Sequence, residues 1–302
     1  MTAELIAQAA PPRAAAQAIH ACPICGLSGA ASEQARVRSN LRAFANETFA
    51  VWRCAGCRSL HARDEVDLAH YYAKYPFHTG AVDWRMRAMY DNLLRRLRWV
   101  GLTRDQSVLD YGCGGGHFVR HLNDRGYRAV GFDEYTAAQR RPKLLDATYD
   151  FVLCQDVIEH VPDPKALVAK FDELLRPGGT LALGTPNASA IDLTRPEDFV
   201  HALHLPFHRH ILSKAALVSL GDPLGWSLVR YFPSMYNNTL VPFINPRFML
   251  YYLRCFDNNL DLGFEAPRFS ARLLSPVAAF WAFLGWLFPP ETDVMAVFRK
   301  PA

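Results

Sequence analysis

The chain has 302 residues, 50% of them hydrophobic and 21% charged, which is enough for one large α/β domain with a filled core and a small appendage. A net charge of +4, from 33 basic and 29 acidic residues, is too small an excess to argue for a nucleic-acid partner. The seven cysteines and the lack of a basic start followed by an apolar run argue against a secreted disulfide scaffold and point to a reducing, cytoplasmic compartment.

Residues 1–21 are Ala-rich and contain Pro11-Pro12, the composition of a disordered tail. Residues 22–70 read as a zinc-binding knuckle. Cys22-Pro-Ile-Cys25 and Cys54-Ala-Gly-Cys57 each bend so that two thiolates face one ion, and together they complete a tetrahedral set. The segment between them, Ser39 to Trp52, is expected to form a hairpin. Two redox pairs are the alternative, which the absence of a thioredoxin-like context opposes. A closed four-cysteine site has no open position, so its zinc would be structural.

Residues 71–302 read as the catalytic domain. Tyr71 to Leu102 is expected to be helical, with Met86, Met89, Tyr90, Leu93, Leu94 and Leu97 at helical spacing. Strand and helix signals then alternate, which predicts a parallel sheet with flanking helices. The predicted strands are 107–110, 129–132, 150–154 and 180–184, with helices over 117–125 and 164–175. Arg176-Pro-Gly-Gly179 is expected to be the turn that ends the second helix. Leu224 to Phe232 starts a final hairpin that Val294 to Phe298 closes. The aromatic segment 233–291 is an insertion before that last strand.

The densest signal is Val108-Leu-Asp-Tyr-Gly-Cys-Gly-Gly-Gly-His-Phe118. A strand runs into Gly112, Gly114 and Gly116, and a helix follows. Glycines allow a sharp turn and close approach of backbone to a ligand, and the helix start offers free N–H groups. The second predicted strand ends at Asp133, where a carboxylate can accept from ribose hydroxyls. A nicotinamide or flavin turn is the competing reading. The G-x-G-x-G spacing opposes it, and so does His117 at the position of the third dinucleotide glycine. Asp110 can also accept from an ammonium group, as an aminoacyl cofactor requires.

Four motifs carry a resemblance: Leu109-Asp-Tyr-Gly-Cys-Gly-Gly-Gly116, Gly131-Phe-Asp133, the run from Tyr149 to Pro164, and Leu174-Leu-Arg-Pro-Gly-Gly-Thr180. Together they resemble class I S-adenosylmethionine-dependent methyltransferases of the ubiquinone O-methyltransferase and sugar C-methyltransferase type. The resemblance implies a Rossmann-like fold. It implies that Asp110, Gly112, Gly114 and Gly116 line the methionine end of the cofactor, that Asp133 holds the ribose, and that Gln155 lies near the sulfonium. It also implies a cover role for the knuckle, as in some sugar C-methyltransferases. The sequence departs from the family between Glu134 and Asp150, where room for a helix and a further strand is missing. A trimmed sheet edge is therefore expected, with adenine held by residues the sequence does not name.

Gln155-Asp156-Val-Ile-Glu159-His160 follows the third predicted strand, at the edge where open α/β sheets bind ligands. Were it helical, Asp156, Glu159 and His160 would share a face. His160 could act as a general base, the three could bind a divalent cation such as magnesium, or the pair could only cap a turn; these readings carry equal weight. His201, His204, His208 and His210 cluster around Leu205-Pro-Phe-His208. His208 is the strongest catalytic candidate among them, and the others read as pocket-lining. Leu273 to Phe288 is either a buried cover over the acceptor pocket or a segment making peripheral contact with a membrane. The acceptor is expected to be a small molecule, a sugar or a lipid-linked compound. An RNA methyltransferase and a cofactor-binding protein without activity are the alternatives. Salt-sensitive RNA binding would reveal the first, and turnover would exclude the second.

Overall fold

The computed structural model describes residues 21–29, 31–75 and 82–302. The tail expected over 1–21 therefore lies outside it, except for Ala21.

The N-terminal part is a hairpin. β1 (Ala31–Arg38) pairs antiparallel with β2 (Thr48–Cys54), and β3 (Leu60–Ala62) adds to β2. The first strand lies earlier than expected. Residues 39–47 form the connection, closed by Glu47 O accepting from Ser39 N at 2.9 Å. The helix expected over 71–102 is divided. α1 (Leu68–Tyr72) is capped by the Asp67 carboxylate on Ala69 N, and α2 (Trp84–Trp99) restarts with Asp83 capping Met86 N at 2.9 Å. The expected apolar spacing falls mainly within α2, which buries Leu93, Leu94 and Leu97.

The large sheet is built from β4 (Ser107–Tyr111), β5 (Arg128–Phe132), β6 (Tyr149–Gln155), β7 (Leu175–Pro186), β9 (Ser227–Phe232) and β10 (Asp293–Arg299). Its six strands run in the order β5-β4-β6-β7-β10-β9. β10 alone is antiparallel, to both β7 and β9. The sheet stops at β5. Between β5 and β6 the chain makes only two 3-10 turns, at Ala137–Gln139 and Pro142–Asp146, so the trimmed edge is present. Alternating side chains fill two layers. Val108, Phe151 and Leu153 face Phe118 and Leu122 of α3 (His117–Asn123). Leu109, Val152 and Leu181 face Val168 and Phe171 of α4 (Pro164–Leu174). Arg176 to Gly179 is not a free turn. It belongs to β7, where a bulge shifts the register between Tyr149↔Leu175 and Phe151↔Thr180.

The loop after β7 carries α5 (Val200–Leu203), and α6 (Lys214–Val218) lies just beyond it. Between them, β8 (His210–Ile211) leaves the large sheet and joins the small one, giving the order β1-β2-β3-β8. Arg53 reinforces this union. Its buried guanidinium pairs with Glu33 at 2.9 Å and donates to Ala188 O at 3.0 Å and Ile191 O at 2.5 Å. The insertion before β10 contains α7 (Pro246–Arg254) and α8 (Pro276–Leu284).

Candidate functional site

β4 ends in Asp110, a buried carboxyl. Burial, then the nearby Asp133 charge, push its pKa up to about 7. The chain next turns through Gly112 at φ +82°, Gly114 at +51° and Gly116 at +70°. A Cβ on Gly112 would stand 2.1 Å from Val157 Cγ2, whereas one on Gly114 would meet no protein atom within 4 Å. The turn thus packs against the β6 loop on one side and leaves an open cradle on the other. Gly112 N and Cys113 N both donate to Phe132 O, and Gly114 N donates to Asp133 Oδ2 at 2.9 Å. The other Asp133 oxygen accepts from Tyr135 N and Thr136 N. That uses three of roughly four acceptor sites on the carboxylate, leaving one for a ligand hydroxyl. Gln155 lies over Gly184, donates to Cys154 O at 3.0 Å, and leaves its buried Oε1 without a partner.

The segment after β6 is a turn. Asp156 has φ +55°, which a helix does not allow, so Asp156, Glu159 and His160 do not share a helical face. The turn sends them to different places. Asp156 borders a cavity of roughly 540 Å³ that also touches Tyr236, Asp293 and His201. Burial and the Asp293 carboxylate push it up to about 7, and Tyr236 donates to it at 3.4 Å. Glu159 is fully buried. Thr185 Oγ1 donates to its Oε2 at 3.0 Å, its Oε1 has no hydrogen-bond partner, and His208 Nε2 stands 4.0 Å from Oε1. Burial, then Asp156, hold its pKa well above the usual carboxyl range.

His160 and His208 pack edge to face at 4.8 Å. His160 Nδ1 faces Phe207 O at 3.2 Å, and His208 Nδ1 faces Ala202 O at 2.9 Å. A carbonyl only accepts, so both Nδ1 atoms carry hydrogen and both Nε2 atoms keep a lone pair. Burial holds His160 down to about 4 and His208 well below its ordinary value, so both are neutral at pH 7. Ligand atoms of Glu159, His160 and His208 lie within 4.8 Å of one another. The structure therefore groups Glu159 and His160 with His208, in place of Asp156. His204 and His201 are held by Asn40, at 2.8 and 3.2 Å. His210 lies against His61 and Pro162 O. The sequence did not single out Tyr72, which reaches His160 Nδ1 at 3.2 Å, nor Tyr236 and Asp293 beside Asp156. All three come from distant chain segments.

In the knuckle, the Sγ atoms of Cys22, Cys25, Cys54 and Cys57 lie within 4.8 Å of one another, with Cys22–Cys57 and Cys25–Cys54 both at 3.6 Å. Four thiolates around one zinc stand about 3.8 Å apart, so the set fits that ion. His61 Nε2 lies 3.3 Å from Cys22 Sγ, and His61 Nδ1 lies 3.1 Å from His210 Nδ1. His210 Nε2 in turn donates to Pro162 O at 3.1 Å. A chain of contacts thus runs from the knuckle to the turn that follows His160.

Residues 82–231 match the family described as Methyltransferase domain. That stretch is a methyltransferase domain. It holds the glycine turn, Asp133 and the Asp156–His160 turn. A ubiquinone biosynthesis O-methyltransferase of Leptothrix cholodnii is 32% identical over 135 residues, covering 36% of this chain and 55% of that protein. One from Aeromonas salmonicida is 25% identical over 197 residues, covering 53% and 82%. The chain spans about half the length of the Leptothrix relative. A solved S-adenosylmethionine-dependent methyltransferase from Archaeoglobus fulgidus aligns with a TM-score of 0.45 at 15% identity, covering 76% of this chain and 100% of that one. In this chain the matched residues follow the β1–β3 hairpin sheet and precede the segment between β9 and β10.

Proposed function

We propose that the chain transfers a methyl group from S-adenosylmethionine to a hydroxyl oxygen or a carbon of a small-molecule, sugar or lipid-linked acceptor. The observation that supports this most is the open glycine cradle at Gly114, which follows the strand that ends in the buried Asp110 carboxyl. An aminoacyl ammonium beside Asp110 would supply the counter-charge its burial lacks. Gly112, Gly114 and Gly116 would let the backbone approach the methionine end, and Asp133 would use its remaining acceptor site on the ribose. The bound cofactor supplies an electrophilic methyl group on sulfur. The protein has to align the acceptor with it and take up one proton as the new bond to the methyl forms.

S-Adenosylhomocysteine should bind with micromolar affinity in calorimetry, and Asp133→Ala should weaken it about tenfold, the effect of one charged hydrogen-bonding group. Preference for a nicotinamide or flavin cofactor would overturn the reading.

For the acidic and histidine cluster, a cation is favoured over a general base. An imidazole held near pKa 4 gains little driving force as a base at neutral pH. Two neutral Nε2 atoms beside an unpartnered carboxyl oxygen are instead a ligand set, with each Nδ1 oriented by a carbonyl. Two imidazoles suit zinc or manganese better than magnesium, which prefers oxygen. Asp156, open to the cavity beside the Tyr236 hydroxyl, is positioned to exchange a proton with an acceptor there.

The four cysteines would hold one structural zinc. Elemental analysis of the purified protein should find it on Cys22, Cys25, Cys54 and Cys57, and Cys54→Ser should release it. Protein that is folded and free of zinc would end that assignment.

A further inference from the structure

Helix α8 is amphipathic in the inverted sense. Its buried side is made of small residues, Ala278 and Ala282, followed by Gly285. That side is fastened to the start of α7. Asn245 Nδ2 donates to Trp281 O at 2.9 Å, Phe243 N donates to Ala282 O at 3.0 Å, and a Cβ on Gly285 would stand 2.3 Å from Asn245 Oδ1. Because the small residues take the inner side, the bulky ones must point outward. Leu274, Val277, Phe283 and Leu287 are 76%, 53%, 54% and 50% exposed. Phe243, itself 49% exposed, packs on Phe283 at 5.6 Å and carries the face onto the preceding loop, where Leu240 is 58% exposed. A water-facing helix ordinarily does the reverse. Among the described residues, no helix is long and apolar enough to cross a membrane.

Charge identifies the occupant. Residues 235–256 and 266–290, which build the face and its rim, contain Arg247, Arg254, Arg268 and Arg272 and no acidic residue. Arg247 lies against Trp281, with its guanidinium 5.6 Å from the ring. Asp257 pairs with Arg38 and Asp261 accepts from Arg42 N, while Glu265 pairs with Arg268 and Asp198 with Arg254, so Arg247 and Arg272 are the cations of the face outside any ion pair among the described residues. A second copy of the chain docking through the same face would bring no acidic side chain from it to meet Arg247 and Arg272. An anionic lipid surface would be complementary to the charge and to the aromatic face together.

We infer that α8 and the 240–243 loop form an interfacial anchor for a membrane rich in anionic phospholipid. The cavity at Asp156 extends beneath the same insertion, where Pro246, Leu250 and Leu253 line it. A methyl acceptor held in that cavity would lie beside Asp156. That last clause rests on the methyl-transfer reading; the anchor does not.

The test is sedimentation of the full chain with phosphatidylglycerol–phosphatidylcholine vesicles against pure phosphatidylcholine vesicles. The chain should bind the mixed vesicles at least about tenfold more tightly, since each juxtamembrane arginine near an anionic surface contributes about 1 kcal/mol. The variant F280S/F283S/L287S should lose binding to both, and R272E should lose mainly the preference for the anionic vesicles. Both variants should keep the melting temperature and S-adenosylhomocysteine affinity of the parent, so loss of the cofactor reading and loss of the anchor are read separately. Equal sedimentation of parent and triple variant would overturn the proposal. So would a stable dimer that the same substitutions dissociate.

Discussion

Gly112→Ala should lower stability by about 2–4 kcal/mol and take cofactor binding with it, while Gly114→Ala should cost the fold only about 1 kcal/mol yet weaken S-adenosylhomocysteine at least about tenfold. Both residues have positive φ, so both substitutions carry a backbone penalty. They differ in what the new methyl group meets. At position 112 it would be driven into Val157 Cγ2 at 2.1 Å, prising apart the strand ends of β4 and β6. At position 114 it would enter space that no protein atom occupies, the space assigned to the cofactor. Thermal melting together with calorimetry separates the two effects. A Gly114→Ala protein that binds S-adenosylhomocysteine as tightly as the parent would show that the cradle is not the ligand site.

His160→Ala should cut turnover about a hundredfold and leave S-adenosylhomocysteine affinity within about twofold, because the imidazole is grouped with Glu159 and His208. The size of the loss is the usual cost of removing one metal ligand or one positioned proton carrier. The cation reading adds a second outcome. A chelator too weak to strip the proposed zinc from the four cysteines should stop the parent enzyme, and added manganese should restore it. His160→Asn, which keeps a donor to Phe207 O but supplies no imidazole, should be as slow as the alanine variant. If the asparagine variant turns over like the parent, His160 serves only to fasten the turn through its 3.2 Å contact with Phe207 O.

The glycine turn and the strands around it were legible because their signals are local. Short apolar strands ending in glycine, and an acid about twenty residues beyond the turn, depend only on neighbours in sequence, and β4, β5 and β6 fall within a residue or two of expectation. The knuckle was legible for the same reason, since each cysteine pair sits in its own tight turn. The acceptor half was not. The conditional helix at Asp156–His160 failed on one left-handed residue, which no periodicity announces. Glu159 meets His208 across 49 residues of chain, and Asp156 meets Tyr236 across 80. Such encounters are set by how β7, α5 and the insertion pack. Leu273 to Phe288 carried too little alternation to say which side would be buried. The answer depended on Asn245 and Phe243, thirty or more residues upstream, gripping the alanine side.

The pairing of β3 with β8 has a consequence for how the chain reaches this structure. His61 and His210 are 149 positions apart, so the open edge of β3 cannot be covered until the strand after α5 has been made. At ordinary rates of synthesis that interval is on the order of ten seconds. Throughout it, the N-terminal hairpin presents unpaired backbone groups, the kind of edge that recruits a neighbouring chain. Closing so long a loop is slow, and it belongs to the late, non-local stage of folding. A chain cut short before His210 would keep that edge open for good and would be expected to aggregate through it, although all four cysteines were already in place.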